Sequence, residues 1–285
     1  MRDDVITLRA NGDFSLVHTF SCGQAFRWRE QDSSRYLGTV GNYAVEITVE
    51  AALMAPPNAA MLRIAGPGIA GTEAFWTEYL DLKRDYDSLC AGFAALDEHM
   101  ARAIDFSRGL RLLKQPFFEV LISFIISQNN NVPRISGIIE RISLECGTQL
   151  TDYAFAFPTP EQLARLTETD FARLGAGYRS SYLAKITRLY LEGRIDAESL
   201  SASGFHHARN TLIALPGIGP KVADCVLLFG GIHYEAFPSD VWVKRVMGEL
   251  YGLVGGSDIF HFAESYFGPY AGIAQQYLFN MARKG

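Results

Sequence analysis

The period of the hydrophobic pattern changes once along the chain, near Lys114, and this change limits the folds open to it. Before it, Phe26 and Trp28 alternate with Arg27 and Arg29 over residues 25–30, which predicts a half-buried strand because successive strand side chains point to opposite faces. Residues 36–40 and 43–49 flank Gly41-Asn42, a pair that tolerates positive φ, so they predict an antiparallel hairpin. Ala55-Pro-Pro-Asn58 and residues 66–71 break the pattern into short pieces, and a helix or two is expected between Thr72 and Arg108. After Lys114 the period is helical. Pro116 reads as the first helical position before Phe117, Val120, Leu121, Phe124 and Ile125, and this helix stops at Gln128-Asn-Asn-Asn131. A second restarts at Pro133 and carries Ile135, Ile138, Ile139 and Ile142 before Gly147. Residues 159–162 and Thr169-Asp170 predict two further helix starts, the second helix ending over 174–177, and residues 178–191 predict a longer helix halted by Gly193. Strands followed by helices imply the α+β class: an N-terminal antiparallel β-sheet domain over 1–105 and an all-α domain over 106–285.

Composition narrows the function. Of 285 residues, 48% are hydrophobic and 20% charged, which excludes disorder and low complexity. Met1-Arg2-Asp3-Asp4 has no apolar run behind it, and the longest greasy stretch, 117–127, is interrupted by Glu119 and too short for a bilayer, so a soluble protein with no membrane partner is expected. Cys22, Cys90, Cys146 and Cys225 show no short spacing, and the six histidines are dispersed, so no disulfide framework, zinc site or iron–sulfur cluster is signalled. The net charge of −5 argues against bulk electrostatic attraction to nucleic acid. It is uneven, however: residues 1–100 hold eight basic against fourteen acidic groups, and 101–285 hold eighteen against seventeen. The second part is the better partner for an anion.

The chemistry concentrates in Leu215-Pro-Gly-Ile-Gly-Pro-Lys-Val-Ala-Asp224, where one apolar helix ends and another begins at Pro220. Two glycines permit a tight turn whose backbone N–H groups, beside a fresh helix N-terminus, face an anion. This is a helix-hairpin-helix pattern, and its donors are amides, which reconciles an acidic protein with DNA. A hairpin used only for packing has the same pattern. Lys221 opens the second helix, and Asp240 lies in Phe237-Pro-Ser-Asp-Val-Trp-Val243, where Ser239 or Asp240 would cap the helix from Val241. A capping carboxylate is the simple reading of Asp240. Two adjacent helix starts could also converge a lysine nucleophile and a carboxylate on one cleft.

The hairpin lysine followed by Pro-Ser-Asp resembles the helix-hairpin-helix DNA glycosylase superfamily. Four further stretches resemble its 8-oxoguanine DNA glycosylase/lyase branch: Cys22-Gly-Gln-Ala-Phe-Arg-Trp28, Ser127-Gln-Asn-Asn-Asn131 with Arg134, Leu174-Gly-Ala-Gly-Tyr-Arg179, and Gly268-Pro-Tyr-Ala-Gly-Ile-Ala-Gln-Gln-Tyr-Leu-Phe279. They follow the family's order along nearly the whole chain. The resemblance implies that Lys221 attacks C1′ of the damaged nucleotide to form a Schiff base, and that Asp240 stabilises the cationic sugar or handles the lysine proton. It implies a base pocket in which the Gly23 carbonyl accepts the N7–H that 8-oxoguanine has and guanine lacks, Phe279 and Cys225 sandwich the flipped base, and Gln275 reads its Watson–Crick edge. It implies that Asn129, Arg134 and Arg179 bind the orphaned cytosine while Tyr178 wedges into the stack, and that Gly217 and Gly219 present N–H groups to phosphate. No cofactor is required, although a structural monovalent or calcium ion on the carbonyls of Ile213, Leu215 and Ile218 fits the pattern. The implied partner is duplex DNA carrying 8-oxoguanine opposite cytosine, met by a monomer, in the nucleoid of a bacterial cell or the nucleus of a eukaryotic one.

The chain departs from the family at Trp242, where a phosphate-binding histidine is usual, and no cysteine follows Cys225, which excludes the C-terminal iron–sulfur cluster of related glycosylases. Two rivals remain at this level. A monofunctional glycosylase for alkylated bases would use the aspartate and water, and a non-catalytic DNA-binding module would use Lys221 on phosphate.

Overall fold

The computed structural model describes residues 4–50 and 59–284, so the expected break at Ala55-Pro-Pro-Asn58 lies outside the described residues. Five antiparallel strands, β1 (Asp4–Arg9), β2 (Trp28–Asp32), β3 (Arg35–Val40), β4 (Tyr43–Glu50) and β5 (Met61–Gly66), form a sheet in the order β1-β5-β4-β3-β2. The expected hairpin is present, with Val40 opposite Tyr43 across Gly41-Asn42. A short helix, α1 (Leu16–Phe20), and α2 (Glu73–Tyr79) cover the sheet, and Ile47, Leu62, Ile64, Trp76 and Leu80 form its core at full burial. The α+β class holds.

Three helices rather than one or two occupy the stretch after Thr72, α2 being followed by α3 (Tyr86–Ala94) and α4 (Glu98–Phe106). The helical body continues with α5 (Phe117–Ile126), α6 (Val132–Cys146), a small hairpin of β6 (Gln149–Thr151) and β7 (Ala154–Phe155), α7 (Pro160–Leu163), α8 (Glu168–Arg173), α9 (Ser180–Leu191), α10 (Ala197–Ala202), α11 (Phe205–Ile213), α12 (Pro220–Phe229), α13 (Val241–Tyr251), α14 (Gly256–Tyr266) and α15 (Ala271–Lys284). Its core is continuous from α5, buried nearly all round, through α12 to α15, and Met100 and Ala103 of α4 join it. Among the described residues no helix is long and apolar enough to cross a membrane.

Four local expectations change. The strand expected over residues 25–30 is β2 and begins only at Trp28, because Phe26 turns away to pack edge-on against Phe124 of α5 at 5.3 Å, and β1 precedes it where the sequence reading predicts no strand. Pro116 precedes its helix as an extended cap residue (ψ 122°), held by Gln115 N–H donating to the Phe229 carbonyl at 3.0 Å. Thr167, not Thr169, caps α8, since its hydroxyl accepts from Asp170 N–H while Asp170 Oδ2 accepts from Thr167 N–H, satisfying two otherwise orphaned donors. The stretch after Gly177 opens as a 3-10 turn, Gly177–Arg179, before α9.

Two buried polar side chains fasten the sheet to the helices. Arg111, fully buried, donates to the carbonyls of Asn11, Asp13 and Arg84 and lies 4.3 Å from the Tyr86 ring. Gln24, also fully buried, donates to the Thr19 and Arg111 carbonyls at 2.8 Å each and accepts from Leu113 N–H at 2.9 Å. Every group of that amide is paired, so the loop carrying Gly23 is pinned to the segment entering α5.

Candidate active site

Helices α11 and α12 form the expected hairpin. Gly217 adopts φ +77°, and a β-carbon there would stand 2.4 Å from the Tyr182 ring, so the turn admits only glycine. Gly219 caps α12 with no atom near enough to meet an added β-carbon, which leaves this helix N-terminus open. Gln128 Nε2 donates to the Gly217 carbonyl at 3.0 Å and ties the asparagine loop to the hairpin. Leu215 O accepts from Ile218 N–H at 3.2 Å, and among the described residues no backbone N–H is donated to the Ile213 or Ile218 carbonyl.

Lys221, in the first turn of α12, is half-buried and turned inward. Its ammonium donates to Ser127 Oγ at 3.3 Å and lies 5.3 Å from the centre of the Phe124 ring. One turn on, Cys225 is buried; burial pushes its thiol up to about 12, the Lys221 charge opposing this and the Asp224 and Asp240 charges adding to it. Asp240 caps α13, its Oδ1 accepting from Trp242 and Val243 N–H at 2.9 Å each. The charges of Lys221 and Asp240 thus act on this thiol in opposite directions. Trp242, in the first turn after Asp240, remains 43% exposed.

The second constellation joins the ends of the chain. Gly23, at φ +83°, faces Phe279: an added β-carbon would lie 3.7 Å from Phe279 Cε1 and 3.3 Å from Arg283 Nη1. Gln275, buried four residues before Phe279, donates from Nε2 to the Pro238 carbonyl at 3.0 Å, which links α15 to the turn that carries Asp240. Its Oε1 accepts from Gln276 Nε2 at 2.6 Å.

The third set sits on the α5–α6 loop. Asn129 holds φ +46°, a left-handed conformation uncommon outside glycine, and its Nδ2 lies 3.3 Å from the Tyr178 hydroxyl. Arg179 is buried and directs its guanidinium onto the carbonyls of Gln128 and Asn129, at 2.9 and 3.2 Å, and of Ala176 at 3.2 Å, with Tyr178 stacked 4.4 Å away. Tyr178 itself is 55% exposed. Arg134 is exposed on the first turn of α6, beyond the Asn131 cap.

Sequence reasoning missed several supports of this site. Ser127, Gln128 and Gln24 lie within motifs already singled out, so their signal was position inside a quoted run. Asp224 and Gln276 share that position inside a singled-out run, whereas Arg209, which pairs with Asp224 at 2.6 Å across the two hairpin helices, carried no signal of its own. Burial raises the Asp224 carboxyl to about 6, although Arg209 opposes it. Among the described residues no cluster of three metal-ligating side chains occurs.

Residues 6–121 match the family described as 8-oxoguanine DNA glycosylase, N-terminal domain, and residues 122–258 match the HhH-GPD superfamily base excision DNA repair protein. A probable N-glycosylase/DNA lyase of Methanothermobacter thermautotrophicus is 34% identical over 234 residues, 73% of this chain and 74% of that one. The N-glycosylase/DNA lyase of Arabidopsis thaliana is 29% identical over 94% of this chain and 77% of its own. The 8-oxoguanine glycosylase/lyase of Clostridium acetobutylicum, solved with duplex DNA containing cytosine opposite the lesion, superposes with a TM-score of 0.86 at 34% identity, covering 100% of this chain and 99% of that one. These matches, on a chain with the helical hairpin and the capping aspartate already described, make it a member of the 8-oxoguanine DNA glycosylase branch of the HhH-GPD base-excision repair superfamily.

Proposed function

We propose that the protein excises 8-oxoguanine paired with cytosine by flipping the base and attacking its sugar with Lys221. It is a bifunctional N-glycosylase/DNA lyase of base excision repair, acting wherever the cell keeps its DNA. The observation that carries the mechanism is the inward setting of Lys221. A lysine serving only a phosphate would point to solvent, whereas this one meets Ser127 and lies 5.3 Å from the centre of the Phe124 ring. That favours the lyase over a non-catalytic hairpin, and the lysine itself favours it over a water-using glycosylase.

In the reading we favour, the neutral amine forms a bond to C1′ as the bond from C1′ to the base breaks, and the base leaves with a proton. The C1′–O4′ bond then breaks as O4′ takes up a proton and the nitrogen lone pair forms the C=N bond of the protonated Schiff base; removal of a C2′ proton by a base breaks the C3′–O bond, so the 3′ phosphate leaves and the strand is cut. Asp240 keeps one oxygen free of the capping bonds, and that oxygen would face the sugar cation or take the lysine proton. The Gly23 carbonyl would accept N7–H of the lesion; undamaged guanine would place a lone pair there, a mismatch worth about 1–3 kcal/mol. Phe279 and Cys225 would enclose the base and Gln275 would read its edge. Asn129, Arg134 and Arg179 would receive the orphaned cytosine, with Tyr178 filling the stack. Gly217 and Gly219 would hold phosphate at the open start of α12, and the Ile213, Leu215 and Ile218 carbonyls are suited to a structural monovalent or calcium ion. We assign pocket support to residues 1–105 and the glycosylase/lyase body to 106–285, working as a monomer.

The test is release of the modified base and strand cutting on labelled duplexes carrying 8-oxoguanine or guanine opposite cytosine. The reading expects both products from the lesion duplex alone. Equal action on guanine, or base release with an uncut strand, contradicts it.

A further inference from the structure

Gln275 and Gln276 are both buried on α15, and their amides form a chain ending at the turn before Asp240. The chain has one consistent polarity. A carbonyl only accepts, so the Gln275 group 3.0 Å from Pro238 O is Nε2. This turns Gln275 Oε1 toward Gln276, which must then offer its own Nε2, as it does at 2.6 Å. Reversing Gln276 would set two carbonyl oxygens face to face. The adopted setting leaves Gln276 Oε1 buried with no partner among the described residues, a cost that the opposite setting would exceed.

We propose that Gln276 is a positioning residue for lesion selection: together with the Pro238 carbonyl at the other end of the amide, it holds Gln275 in the one orientation that fits a guanine-type edge, and neither bond alone holds it fully. The proposal rests on Gln275 being the edge reader. Gln275 has two N–H hydrogens and two acceptor lone pairs; Pro238 takes one hydrogen and Gln276 one lone pair. One donor and one acceptor remain, in fixed order. 8-Oxoguanine offers O6 as acceptor beside N1–H as donor. 8-Oxoadenine offers the reverse, an amino donor beside an N1 acceptor, yet carries the same N7–H for Gly23. An amide free to turn over reads both lesions; a fixed amide reads the guanine type.

The experiment measures single-turnover excision of 8-oxoguanine and of 8-oxoadenine, each opposite cytosine, and borohydride trapping on a preformed abasic site, which has no edge to read. The full chain is compared with Gln275→Ala, Gln276→Met and Gln276→Glu, each checked by thermal melting. Gln276→Met is expected to lower 8-oxoguanine excision relative to abasic trapping by about tenfold and to narrow the preference over 8-oxoadenine by a similar factor. Gln276→Glu, which sets an acceptor against Gln275 Oε1, carries the same test and should lose at least as much. If Gln275→Ala loses the preference while both Gln276 variants keep it, the positioning role is wrong and the edge reader stands. If the parent shows no preference, or Gln275→Ala keeps it, the edge reader falls and the proposal with it.

Discussion

Gly23 and Phe279, near opposite ends of the sequence, meet so closely that a β-carbon on the first would touch Cε1 of the second at 3.7 Å. The N-terminal portion therefore sets backbone against the last helix. The contact depends on Gln24, whose fully paired amide pins the loop to the entry of α5.

Gly23→Ala tests this directly. At φ +83° an alanine costs about 1–2 kcal/mol of strain, and its methyl enters the space the base would use. Excision of 8-oxoguanine should fall by far more than trapping on a preformed abasic site, measured side by side. Equal losses in the two assays would mean that the variant had only weakened the fold.

Arg179→Ala should weaken the preference for cytosine opposite the lesion. The buried guanidinium orders the Gln128 and Asn129 carbonyls and the Tyr178 ring together, so its loss releases all three at once. Arg179→Lys should fail to restore the preference, since an ammonium lacks the planar fork that spans these acceptors. Excision rates opposite each of the four bases check this; an unchanged ranking would remove Arg179 from opposite-base recognition.

Hairpin stability should depend on pH through Asp224. Its carboxyl rises from 3.8 to about 6 because burial outweighs Arg209, so the folded state holds a proton that the unfolded state has already lost. The contribution is full below about pH 4 and disappears as pH rises through 6. Denaturant unfolding at pH 4 and pH 7 should show parent stability falling, relative to Asp224→Asn, by on the order of 1–3 kcal/mol. A difference that stays constant or grows with pH would show that the carboxyl is not raised.

The parts of the site legible in the sequence are those that local rules dictate. Gly217, Pro220 and Asp240 are punctuation, since a tight turn, a helix start and a cap each demand a residue type at a fixed place. The α+β division was legible for the same reason, because period follows from local geometry. Phe26 was misplaced because its partner, Phe124, is on a helix about a hundred residues away, and alternation alone cannot see it. The β6–β7 hairpin escaped notice because it is only a few residues long and draws support from Arg27, which donates to the Phe155 carbonyl. Gln24, Arg111 and Gln276 look like ordinary polar residues in the sequence, and only tertiary packing turns them into clamps.

The central claim is that Lys221 is the nucleophile, and borohydride trapping on a duplex with 8-oxoguanine opposite cytosine tests it most directly. The parent should form a covalent protein–DNA adduct that undamaged duplex does not give. Lys221→Gln should form none and should lose strand cutting while still binding the lesion duplex. A trapped adduct of undiminished yield in Lys221→Gln would place the nucleophile elsewhere and contradict the account.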